Sequence, residues 1–211
     1  MKKIIYAIMI ACGIFIFSGL SYAESYVSAY IGSAIPHDSD VSDNTGAGLS
    51  GEFSFEPGMA AGAKLGYWFS EEKMPYLGLQ FDLNKHFPSG DKLTVSGVGF
   101  EVDTDVTVYS LTINAIVRYL KEPSRPYYGV GGGWFRAKID NGTILGIPFQ
   151  GEEDTAFGWQ LLAGVDYIIN PNLSVFGEYK YSGADFEFAG DVGLDVEYRV
   201  SQIYAGISYH F

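Results

Sequence analysis

The chain has 211 residues, with 13 Lys+Arg against 25 Asp+Glu and a formal net charge of −12. It is long enough for one domain, or at most two small ones, and it lacks the basic face that nucleic-acid binding requires. Charged residues make up 18% and aromatics 16%, and there are 27 glycines; this excludes a disordered chain and favours β-structure with close backbone contacts.

The first element is an address. Lys2 and Lys3 precede an apolar run from Ile4 to Phe17, and the small residues Ser21 and Ala23 stand before a cleavage point. This pattern predicts a secretory signal peptide over residues 1–23, with export through the Sec pathway and a single domain over residues 24–211; an uncleaved membrane anchor is the alternative. Cys12 is the sole cysteine, so the exported chain is expected to have no disulfide framework, thiol nucleophile or thiolate metal site. No later segment approaches the roughly 18 continuous apolar residues of a spanning helix. If the remaining chain crosses a membrane, it must do so as a closed barrel.

Period-two alternation dominates the rest. It predicts eight strands, over residues 26–34, 59–69, 76–87, 107–120, 127–139, 156–169, 173–181 and 201–211. Their lengths are close to the roughly 9–11 residues that cross a bilayer at a tilt. Short connections at 70–75, 121–126 and 170–172 alternate with long polar ones at 35–58, 88–106, 140–155 and 183–200. Short turns on one rim and long loops on the other suit a membrane barrel.

Three features assign the apolar face to lipid rather than to a soluble cavity. It carries no charge in the strand cores, as in Leu77, Leu79, Phe81 and Leu83 or Leu161, Ala163 and Val165. The opposite face holds Gly32, Gly62, Gly66, Gly78, Gly129, Gly158, Gly164 and Gly206, which suits an eight-strand interior with room for few long side chains. Aromatics gather near both strand ends: Tyr67, Phe69, Tyr128, Tyr167 and Phe211 on the short-turn side, and Phe87, Tyr109, Trp134, Phe157 and Trp159 on the other. Two such girdles are expected at the two membrane interfaces.

In the last strand Ile203, Ile207, Tyr209 and Phe211 lead to a terminal phenylalanine. This run resembles the β-signal read by the bacterial barrel-assembly machinery. Residues 24–211 resemble, in pattern and size, the eight-stranded barrels of the outer-membrane protein A transmembrane domain, the opacity-type adhesins and the OmpX/Ail group of porin-like proteins. The resemblance implies a bacterial outer-membrane location, contact with outer-membrane lipid and lipopolysaccharide, and assembly by that machinery. No peptidoglycan-binding domain follows the barrel pattern, so wall anchoring is not implied.

The lumen face holds Lys64, Asp82, Arg118, Asp166, Glu178 and Lys180. Buried charges are tolerated only when paired, so these six are expected to form an ion-pair network with Gln80, Asn84, Asn114 and Gln160. That network would serve as structural filling or as a gate. His86 is placed near the outer rim, where a lipid-modifying enzyme would need a base, with Ser89 and Ser110 in its neighbourhood. The spacing His86-Phe-Pro-Ser89 does not fit the tight His-x-Ser pair of barrel lipid hydrolases, and no catalytic residue is assigned. His37 is expected in a loop and His210 at a strand end. Acids such as Asp38, Asp40, Asp91, Asp103, Asp140, Glu152, Asp185 and Asp195 crowd the four long connections without a metal-binding pattern; neither metal nor cofactor is assigned.

The sequence therefore predicts an all-β fold, an eight-stranded antiparallel transmembrane barrel preceded by a cleaved signal peptide. The expected role is a non-enzymatic scaffold or adhesin-like surface protein, meeting an external ligand or host surface through four long acidic loops. The alternatives are a small-conductance channel and, third, a lipid-modifying enzyme.

Overall fold

The computed structural model describes residues 24–37, 39–43, 50–69, 74, 76–95, 98–139, 142–144, 147–149, 151–188 and 194–211. The predicted signal peptide lies outside them. So do Asp38 and Asp140, together with the side chains of Asp40, Ser89, Asp91 and Asp103.

The strands are β1 (Glu24–Pro36), β2 (Ser39–Asp43), β3 (Ser50–Trp68), β4 (Leu77–Val95), β5 (Val98–Arg118), β6 (Ser124–Ile139), β7 (Gly142–Ile144), β8 (Ile147–Phe149), β9 (Glu153–Asn170), β10 (Leu173–Phe188) and β11 (Leu194–His210). Each long strand pairs antiparallel with the next, and β1 returns to β11 in a register from Tyr26↔His210 to Pro36↔Val200. The sheet is thus a closed barrel of eight wall positions. Where β1 stops, β2 takes over its place between β11 and β3. The β7–β8 hairpin pairs with the outer part of β5.

Closure has a clear cause. A barrel leaves no unpaired edge, so every ladder group is satisfied within the chain. The alternation then sorts side chains by face. Ile31, Leu83, Ile113, Val130, Leu161 and Ile203 point outward and are exposed, while Ser28, Lys64, Asp82, Asn114, Glu178 and Ser208 point inward and are buried. Charges enter the outer face toward the outer strand ends: Lys85 follows Leu83 in phase and lies against the rings of Phe87 and Tyr109, and Arg136 and Glu153 pair there with both side chains exposed.

The glycines let the lumen close. A methyl group added at Gly66 would lie 2.0 Å from Tyr26 Cζ, and one at Gly62 would lie 2.3 Å from Tyr30 Oη. Each ring occupies the space beside the bare backbone of its ladder partner on the neighbouring strand, a position that any Cβ would block.

The four long loops expected from the sequence are largely strand. β3 and β4 each run 19 residues and β5 runs 21, and the β4–β5 ladder continues to Val95↔Val98. The β10–β11 ladder likewise reaches Phe188↔Leu194. The reason is a change in the pattern's phase. Along β5 the apolar residues Tyr109, Leu111 and Ile113 face outward, but farther out Val106 and Val108 face inward and are buried. Phe135 and Ala137 on β6, Ala184 and Phe186 on β10, and Tyr198 and Val200 on β11 repeat the switch. Beyond the lipid, apolar groups gain by turning into the barrel, while the backbone still needs its ladder partners. Together these residues fill the outer end of the lumen with an apolar cluster.

Candidate functional site in the barrel lumen

Midway along the barrel, strands from opposite walls project charged groups into the lumen. Lys64 on β3 donates from Nζ to Glu178 Oε2 on β10 at 2.6 Å. Lys180, two residues on from Glu178, donates to Asp82 on β4 and lies 3.6 Å from Glu178 Oε1. All four side chains are at most 1% exposed. The cluster is neutral, two ammoniums against two carboxylates. Its bridges cross the lumen, because β11, β1 and β3 separate β10 from β4 along the wall.

Tyrosines and an amide complete the shell. The Tyr30 hydroxyl donates to Asp82 Oδ1 at 2.5 Å and accepts from Lys180 Nζ at 3.2 Å and Asn84 Nδ2 at 3.1 Å. Asn84 also donates to Tyr204 Oη at 2.7 Å, and Tyr127 donates to Glu178 Oε2 at 2.8 Å. Lys64 Nζ sits 4.3 Å from the Phe176 ring centroid, and Lys180 Nζ sits 4.7 Å from that of Tyr30. Such cation–π contacts gain strength when desolvated.

Of the ten residues expected in one network, the structure unites Lys64, Asp82, Glu178, Lys180 and Asn84. Gln80 accepts a hydrogen bond from Tyr26 at 2.9 Å, and Gln160 donates to Asn114 at 2.6 Å; both pairs stand beside the cluster. Arg118 and Asp166 do not belong to it. Arg118 binds Glu24 at 2.5 Å at the rim of the short turns, with its guanidinium 4.3 Å from the Trp68 ring. Asp166 lies 4.0 Å from His210, which in turn lies 2.7 Å from Glu24. This rim set forms a second cluster, joined by Arg125. Depth along the axis depends on strand tilt and stagger, which linear spacing does not carry. Glu24 fell before the predicted start of the first strand. Tyr30 and Tyr204 were legible as members of the lumen face, out of phase with Ile31 and Ile203.

His86 is fully buried inside the barrel. Its Nδ1 lies 3.1 Å from Asn84 Oδ1 and its Nε2 lies 2.8 Å from Tyr198 Oη. Both ring nitrogens are thus engaged inside the lumen, and the lipid-facing outer-rim position expected for His86 is corrected. His37 bonds Ser201 at 2.9 Å on the outer wall, and His210 sits in the short-turn rim. Among the described residues, no group of three His, Cys, Asp or Glu side chains is arranged to hold a metal ion.

Ile203, Ile207, Tyr209 and Phe211 all face outward and are exposed. The Phe211 backbone N–H donates to Ser25 O at 2.9 Å, sealing the β1–β11 seam to its last residue.

A scan of known families matches residues 9–211 to the outer membrane protein β-barrel domain. The chain belongs to this family. It is an outer-membrane β-barrel, so its outward face meets lipid and its charged cluster is enclosed by the barrel wall. The 31 kDa outer-membrane immunogenic protein of Brucella melitensis is 25% identical over 161 residues, covering 73% of this chain and 67% of that protein. Among solved structures, Neisserial surface protein A aligns with a TM-score of 0.54 at 23% identity, over 89% of this chain and 97% of its own. OprG from Pseudomonas aeruginosa aligns with a TM-score of 0.65 at 14% identity, over 90% and 96%. Ail of Yersinia pestis, solved in complex with the heparin analogue sucrose octasulfate, aligns at 0.50 with 20% identity, over 90% and 99%. At these identities the structural likenesses establish the fold.

Proposed function

We propose that this outer-membrane barrel is a non-enzymatic scaffold whose lumen is sealed and whose extended outer hairpins make its external contacts. The observation that carries this reading is the two-layer filling of the lumen. A neutral cross-lumen cluster of Lys64, Asp82, Glu178 and Lys180 lies beneath a packed apolar cluster that includes Val108, Phe135, Phe186 and Val200. A conducting path would have to break buried ion pairs and wet an apolar cluster, and both steps are costly. The sequestered His86 supports the absence of lipid-modifying chemistry. A heparin-analogue ligand like that of the Ail complex does not suit a chain of net charge −12; outer segments whose sequence carries Glu52, Asp103, Glu152, Asp185 and Asp195 favour a basic partner or one bridged by divalent cations.

The channel reading keeps one specific observation in its favour. Among the described residues, Gln80 Nε2, Thr112 Oγ1, Asn114 Nδ2 and Glu178 Oε1 are buried without hydrogen-bond partners, and such groups recruit water. Conductance of the refolded protein in a planar bilayer decides between the two. The sealed barrel is expected to be silent, with folding verified by a heat-dependent gel shift. Reproducible openings that change in Lys64→Ala would overturn the scaffold reading.

A further inference from the structure

Within the lipid the barrel has no edge; farther out, one appears. The β9–β10 ladder stops at Gly158↔Ala184, yet β9 begins at Glu153 and β10 runs on to Phe188. Each strand keeps its other neighbour beyond that point. β9 stays paired with β6 out to Lys138↔Glu153, and β10 with β11 out to Phe188↔Leu194. Among the described residues, β9 forms no ladder pair with Asp185 or Glu187. The two strands part just beyond Trp159, and the outer end of β10 is a sheet edge.

The edge is not left bare. The Glu187 backbone N–H donates to Asp154 Oδ2 at 2.9 Å. A side-chain carboxylate from β9 thus stands where a neighbouring strand would offer a carbonyl. It satisfies the donor without adding a strand, and another acceptor can replace it. Behind the edge, Ala184 and Phe186 are buried in the apolar cluster, so the cleft does not open into the lumen.

Charge selects the occupant. Across the β10–β11 ladder, Asp185 stands opposite Glu197 and Glu187 opposite Asp195. Like charges directly opposite one another are destabilising. Arg199 answers Asp185 and Glu197 at 2.9 and 2.5 Å, and Asp185 still keeps 75% of its side chain exposed; Glu187 is exposed as well. A second copy of this chain would bring these acids against their own like, which is how charged edges deter self-pairing. A strand with Lys or Arg at alternate positions would instead set its cations beside Asp185 and Glu187, because directly opposite residues share a face.

We infer that the outer edge of β10 accepts an extended basic segment of a partner protein as an added strand. Asp185 and Glu187 meet its cations, and Asp154 yields the Glu187 N–H to its backbone. Main-chain bonds give such a pairing its affinity, and alternate side chains give it specificity. The inference rests on the reading that the outer hairpins make the external contacts, and it names the partner's chemistry. It does not depend on the sealed lumen, so a conducting barrel would leave it standing.

The test uses refolded protein in zwitterionic detergent, with chelator present so that divalent ions do not occupy the acids. The probe is a fluorescent peptide alternating Lys and Val. A twin peptide carries a backbone N-methyl group at each Lys. When Lys stands opposite Glu187 those nitrogens face β10, so the twin keeps the charge and loses the main-chain donors. Fluorescence anisotropy is expected to show the unmodified peptide binding about tenfold more tightly than its twin. Asp185→Asn/Glu187→Gln is expected to weaken it about tenfold, with a smaller effect at high salt. Asp154→Ala removes a negative charge but uncovers the Glu187 N–H, so it is expected to tighten binding several-fold, whereas attraction by charge alone would make it weaker. Each variant is first shown to fold by its gel shift. No binding by the wild type, equal binding of the two peptides, undiminished binding by the double variant, or weaker binding by Asp154→Ala would each overturn the inference.

Discussion

Glu178 is the hub of the lumen, reached by Lys64, Lys180 and Tyr127 at once. Removing its charge strands two buried ammoniums against a single remaining carboxylate, Asp82. Breaking a buried pair in this way costs about 3–5 kcal/mol, so Glu178→Gln is expected to lower the urea midpoint of the refolded barrel sharply. A paired Lys64→Met/Glu178→Met change removes both charges and is expected to recover much of the loss; a Glu178→Gln midpoint equal to wild type would refute the hub role. The glycine seats make a complementary prediction. Gly62→Val would drive a side chain into the Tyr30 ring and is expected to reduce folded yield, with partial rescue by Tyr30→Ala. The four central charges were legible because alternation alone assigns a residue to the lumen. Their separation from Arg118 and Asp166 was not, because the sequence assigns a face but not a depth.

At the scale of the strand, the membrane imposes a chemical test at every second position. Leu161 and Val165 on β9 face outward within the apolar band. An arginine at either site is expected to cost about 2–4 kcal/mol near the midplane and to lower the amount of heat-modifiable barrel in the outer membrane; normal insertion of both variants would contradict the lipid-face assignment. Deleting Phe211 removes the last outward aromatic and the N–H that closes the seam on Ser25. It is expected to cut outer-membrane yield, measured against total expressed chain. The inner part of each strand was readable because lipid holds apolar groups on one face without interruption. The outer part was not, since at Val106 and Val108, or Phe135 and Ala137, the apolar groups change sides and the lipid-face pattern ends. The alternation itself persists through Val98, Phe100 and Val102, a strand signal that the nearby acids Glu101, Asp103 and Asp105 obscured.

At the scale of the whole molecule, the same eight walls serve two solvents. Within the bilayer the barrel is apolar outside and charged inside; beyond it, the interior becomes the apolar side. The unusual length of β5 has a mechanical corollary. At about 3.4 Å per residue and a tilt near 40°, its 21 residues climb roughly 55 Å, while the apolar band is about 25 Å tall. The outer end of β5 therefore stands some 25–30 Å above the lipid, held there by its ladder to β4. An antibody or partner that grips this outer end can do so without touching the membrane, and trimming paired residues from the β4–β5 ladder would bring that contact down toward the headgroups.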